Sequence, residues 1–197
     1  MTLLSALVMA AGIMPFYWLG VLGPLIVQDY ALPPATIGMG LTAVAVFGML
    51  CRPLSARLAA RSSLGRGLAA IPFVAAASGI IASLAVPPAV FCLSLIPAGF
   101  AVAAANPITN VAIQREGPRA VGLRIGFKQS GVQAAQFVVG ATFPAIAVVA
   151  GWALTLRAAG AFFAVAGVLI LVLLKEAAVG RQPRAATPHL PRATPLP

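Results

Sequence analysis

Eleven of the chain's thirteen Lys and Arg residues fall at alternate gaps between six long apolar runs, and no other feature constrains the fold as tightly. The runs are Leu3–Gln28, Thr36–Leu58, Leu68–Val86, Val90–Ile113, Val121–Ala150 and Trp152–Leu174. Each reaches the length of about 20 residues that a helix rising 1.5 Å per residue needs to cross about 30 Å of hydrocarbon. The second gap holds Arg57, Arg61 and Arg66, with Arg52 just before it. The fourth holds Arg115, Arg119 and Arg124, and Lys175, Arg181, Arg184 and Arg192 follow the last run. The first gap carries only Asp29, the third nothing, and the fifth nothing until Arg157. Short basic loops stay cytoplasmic, so both termini are expected inside. The fold class is all-α: a polytopic membrane protein with six transmembrane helices over residues 1–176.

Composition agrees by an independent route. Only 8% of residues are charged, 61% are hydrophobic, and the mean hydropathy is +1.02. In a soluble protein a net charge of +10 would suggest a nucleic-acid binder. Here the charges sit at span ends, so the expected partner is the lipid bilayer and no nucleic acid. The Arg-heavy, Ala-rich usage points to a GC-rich bacterial genome. Cys51 and Cys92 lie inside spans with no neighbouring His or Cys and read as small packing residues, neither a disulfide nor a metal pair. The first apolar stretch lacks a basic n-region and exceeds the usual 7–15 residues of a signal h-region, so it reads as a span. From Gly180 onward the chain is rich in Pro and Arg, and residues 177–197 are expected to form a disordered cytoplasmic tail. The single histidine, His189, falls there. Chemistry needing an intramembrane histidine base or ligand is excluded, and no catalytic residue, cofactor or metal is expected.

Polar residues at membrane depth are costly and therefore mark candidate sites. At 100° per residue, Gln129, Gln133 and Gln136 share one face of the fifth span with Gly122 and Gly140. This stripe serves either as interhelical hydrogen-bonding glue or as the lining of a solute pathway. Lys128, at the edge of the stripe, either snorkels back to the interface or attracts an anionic solute. Asn106, Asn110 and Gln114 are spaced by four on the fourth span, beside Pro107. Tyr17, near mid-depth of the first span, is either a packed aromatic or a donor to a cavity. The glycines, including the Gly122–Gly126 step, are expected to let helices approach closely. The three acids, Asp29, Glu116 and Glu176, all lie at or beyond span ends, so no carboxylate pair is available for acid–base work.

Several motifs fail. Asn106-Pro107-Ile108 resembles half of a water-channel signature but has the wrong third residue and no second copy. Gln129-Ser130-Gly131 lacks the histidine an intramembrane serine protease needs. Better matched are Asp29-Tyr-Ala-Leu-Pro-Pro-Ala-Thr-Ile-Gly38, Arg52-Pro-Leu-Ser-Ala-Arg-Leu-Ala-Ala-Arg61 with Gly65-Arg66, and Gly126-Phe-Lys-Gln-Ser-Gly131 followed by Gly140-Ala-Thr-Phe-Pro144 and Gly151-Trp152. Over roughly residues 5–176 these resemble the N-terminal six-helix half of a major facilitator superfamily transporter. The last group is similar to a bacterial branch that includes cyanate-permease-like and related organic-anion carriers. Ala56 and Ala60 stand where that family's glycine and Asp would be, and no GxxxGPxxGG run of drug/proton antiporters occurs.

The resemblance implies half of a twelve-helix secondary transporter for a small-molecule solute, an organic or inorganic anion. It would need a second six-helix half or self-association to complete its cavity. Solute contacts would come from Lys128, Gln129, Gln133, Gln136, Asn106, Asn110 and Tyr17, and gating from Arg57, Arg61 and Arg66. The alternatives are a non-transporting membrane interaction or assembly protein, or a truncated gene product. The permease subunit of an ATP-driven importer is a third class, for which no coupling-helix signature occurs. The charge pattern makes its own prediction. Cysteines placed at Pro34 and Pro88 should react with an impermeant thiol reagent from outside, and one at Gly65 only from inside. The reverse labelling would invert the topology.

Overall fold

The structure is a computed structural model that describes residues 1–61, 63–84 and 88–179. The segment expected to be a disordered tail, with His189, lies outside these from Gly180 onward, as does the turn at Val86-Pro87. Four helices, α1 (Thr2–Asp29), α2 (Ala35–Arg61), α3 (Leu64–Ala82) and α4 (Pro88–Gln114), precede a long helical run, Val121–Val179. Gly151, at φ 81° and ψ 155°, breaks that run into α5 (121–150) and α6 (152–179). Only glycine enters this region without a Cβ clash, so the sixth span begins where the chain carries a residue able to reverse it. No strand occurs among the described residues. The helices are long and apolar enough to cross a bilayer, and hydrocarbon admits no other way of satisfying this much backbone in an open chain.

Contacts at the helix ends fix the order of passage. At one end Arg124 Nη1 lies 3.3 Å from Glu116 Oε2, Thr2 Oγ1 donates to Glu116 at 3.5 Å, and Gly65 faces Leu174. At the other, the Trp152 indole donates to Asp29 Oδ2, Arg157 donates to the Ser83 carbonyl at 3.1 Å, and Tyr30 packs on Trp152 and Phe91. The basic clusters therefore share the first end. Pairs such as Gly65–Leu174, Phe73–Gly167 and Ile80–Gly160 show α6 returning antiparallel to α3, whereas α5 runs alongside α1.

α1 is the most buried span and α2 the least. One apolar cluster surrounds Trp18, Leu22, Val139, Phe143 and Leu156, and a second surrounds Val8, Ile71, Ile108, Val132 and Ile170. Both draw on α1, which makes it the axle of the bundle. Large side chains such as Met39, Leu50, Leu123, Phe137, Val149 and Val165 are exposed, as a lipid-facing surface requires.

Association of helices in lipid relies on close packing rather than on hydrophobic burial. Gly131 provides it, because a Cβ there would overlap the Ala6 carbonyl of α1. The Gly122–Gly126 step does not serve this purpose among the described residues: beyond its own helix, none of them comes within 4 Å of a Cβ built at either glycine or at Gly140. Gly131→Ala should thus lower stability by about 1–3 kcal/mol through overpacking. Gly140→Ala should leave it within about 0.5 kcal/mol, or raise it slightly through better helix propensity. Thermal unfolding of both variants in one detergent checks the contrast.

Candidate functional site

Helix rise sets the depth of each polar residue. Lys128 is seven residues into α5, Asn106 eight residues before the end of α4, and Arg52 nine before the end of α2. All lie about 10–14 Å from the end that carries the basic clusters. This one layer concentrates the polar chemistry of the bundle.

Among the described residues, Lys128 is the one buried charged side chain, 1% exposed. Its stem crosses to α4 instead of climbing to the interface. The ammonium donates to Asn106 Oδ1 at 3.0 Å, Thr109 Oγ1 at 3.1 Å and Asn110 Oδ1 at 2.5 Å. Residues i, i+3 and i+4 lie on one helical face, which is why α4 offers three oxygens to a single group. The Thr109 hydroxyl proton is already committed to the Ala105 carbonyl at 2.7 Å, so its oxygen faces the ammonium as an acceptor. An ammonium has three N–H bonds, and all three are used. The partners are neutral. Of the described carboxylates, Asp29 is held by Trp152 and Glu116 pairs with Arg124. The charge is therefore solvated by the protein but not cancelled.

The other expected residues are placed differently. Gln129, Gln133 and Gln136 are exposed on the face of α5 turned away from the buried stripe of Lys128, Val132, Ala135 and Val139. They share that face with Gly122, Gly126 and Gly140, and do not join the Lys128 cluster. Gln114 is likewise exposed at the end of α4. Tyr17 is half-buried, edge-on to Phe16 at 6.2 Å, and packs between the two apolar clusters. Arg57 and Arg66 are exposed at the basic end and form no ion pair among the described residues. Arg61 closes α2, and its side chain lies outside what is described.

Beside the cluster, an open groove of about 830 Å³ runs between α2 and α4. Val44, Gly48, Met49, Arg52, Ser55, Ala103, Asn106 and Pro107 are among its walls. Pro53 and Pro107 lack an N–H, so the carbonyls of Met49 and Ala103, both groove residues, lose their partners in the helical ladder. Two residues of this layer escaped the sequence reading. Thr109 was legible in principle as the i+3 member between two asparagines. Arg52 reads in the sequence as one of the basic residues around the second gap.

The cradle generates a test. Thr109→Val removes one acceptor from a buried ammonium without changing shape, which should cost about 1–3 kcal/mol. In a Lys128→Met background the same change should cost almost nothing. A double-mutant cycle on thermal stability reads the coupling directly.

A family model described as Major Facilitator Superfamily matches residues 2–195. Among curated proteins none matches. An all-helical bundle of membrane-length apolar helices, polar at one intramembrane layer, is what that match covers. The chain belongs to the major facilitator superfamily of multi-pass membrane transporters, which bind small-molecule solutes within the membrane.

Proposed function

We propose that this chain is the solute-binding bundle of a secondary transporter for a small organic or inorganic anion, in a bacterial inner membrane with both termini cytoplasmic. One observation carries the reading: Lys128 is buried at membrane depth against three neutral oxygens and, among the described residues, no carboxylate. A charge that is solvated without being neutralised keeps its field, and in a low-dielectric layer that field attracts an anion strongly. Asn106 and Asn110 hold the ammonium and would share the solute with it.

Gln129, Gln133 and Gln136 stand on an open face. Amides facing lipid are costly, so this face fits the wall of a wet cavity shared with a second six-helix bundle, supplied by a partner or by self-association. Tyr17 would contribute from α1 as solute passes. Exchange between the two sides would come from rocking of the bundles around this polar layer. Arg57, Arg61 and Arg66, at the basic end, would act in the gate.

A second reading rests on the same exposed face. Gly122 and Gly126 are free for a neighbouring helix, as an assembly protein would need. Flux of radiolabelled small anions into proteoliposomes, with and without a co-expressed second bundle, separates the two. In the competent assembly, Lys128→Gln should reduce anion affinity at least about tenfold, because the uncancelled charge behind Asn106 and Asn110 is lost. Gln129→Ala, Gln133→Ala and Gln136→Ala should weaken binding while leaving membrane insertion intact. Unchanged affinity in Lys128→Gln would remove the anion from the proposal.

A further inference from the structure

Arg52 is nine residues inside α2, about 14 Å from its end, so it is an intramembrane arginine rather than a loop charge. Such residues face cavities or partners because hydrocarbon penalises them. Among the described residues, Arg52 is the one charged side chain lining the α2–α4 groove. Asn106 lines the same groove from the opposite wall. Its Oδ1 accepts from the Lys128 ammonium at 3.0 Å, which fixes the amide, because an ammonium has no lone pair to accept from an NH₂. The Nδ2 donors of Asn106 are therefore the end left for other partners. The Ser55 hydroxyl, also in the wall, is spent on the Arg52 carbonyl at 2.8 Å. Among the described residues no carboxylate lines the groove. Pro53 and Pro107 take away the ladder donors to the Met49 and Ala103 carbonyls, which can then accept from water or from a hydroxyl on the solute.

We propose that the α2–α4 groove is a second anion subsite, in which Arg52 and the Asn106 amide hold a small carboxylate or oxyanion on its way to or from Lys128. It rests on the anion reading of Lys128 and deepens it. At about 830 Å³ the groove is of the size that small-molecule sites occupy. A guanidinium suits it, because its planar fork matches a carboxylate in two parallel hydrogen bonds. Lys128 acts here as a positioning residue. By holding the oxygen of Asn106 it keeps the amide donors free, so one buried cation prepares a site on the far side of its own ligand.

The test uses the full chain in lipid nanodiscs, with Cys51 and Cys92 replaced by serine and Ala103→Cys as a reporter on the groove wall. Reaction rates with an anionic and a cationic methanethiosulfonate are compared, then repeated with sodium acetate, succinate or nitrate present. Relative to their rates with a free thiol, the anionic reagent should be favoured over the cationic one, and each bound anion should slow it. Arg52→Gln should reduce the anionic-to-cationic rate ratio and raise the half-protecting anion concentration, the latter about tenfold. Arg52→Lys should keep the rate ratio, which guards against a variant that merely misfolds. Protection unchanged in Arg52→Gln but lost in Lys128→Gln would overturn the groove subsite and leave the anion reading standing. If none of the three anions protects the parent protein, both fall together.

Discussion

In hydrocarbon a backbone N–H or carbonyl has no solvent to bond, and the remainder of this structure answers to that constraint. It confines the spanning chain to helices, sends polar turns to the two ends, and leaves the packing between helices to shape. α1 becomes the axle because it presents small or apolar residues all round and admits α5 to backbone contact at Gly131. α2 is the opposite case. With little of it buried, its outward side carries lipid-facing Met39 and Leu50, and its other edge forms the groove with α4.

The same constraint makes Lys128 the most consequential side chain. A cation at the centre of a membrane helix costs about 2.5–3.5 kcal/mol on insertion scales, an upper bound for Lys128, which lies about 10 Å from the end of α5. Hydrogen bonds from a charged donor contribute about 1.5–3 kcal/mol, though not additively. Three good acceptors on α4 are therefore of the right size to offset the insertion cost. A carboxylate partner would have offset it too, but would also have cancelled the field. The choice of neutral oxygens is what separates a structural ion pair from a charge still able to act on a solute.

The geometry also divides residues that share a sequence pattern. The glutamines and Lys128 are neighbours in the chain, yet 100° of rotation per residue puts Lys128 inward against α4 and Gln129 outward. The stripe at Gln129, Gln133 and Gln136 stays open, while Lys128 and Thr109 are buried between α4 and α5 and Asn106 is left exposed at the groove.

Six spans, their approximate ends and the gathering of basic residues at one end were legible from sequence alone, because span length and hydropathy are local properties that the bilayer reads residue by residue. The amphipathic stripe on α5 was legible too, since helical periodicity needs no tertiary information. Which side of that stripe met protein was not, because burial in a membrane bundle depends on where neighbouring helices stand, and lipid is as apolar as a packed core. Only the tertiary structure placed Thr109 beside Lys128, turned Asn106 to face both the ammonium and the groove, and moved Arg52 from the loop group to the intramembrane layer. Those outcomes depend on the relative depth and rotation of α2, α4 and α5, which contacts distant in sequence decide.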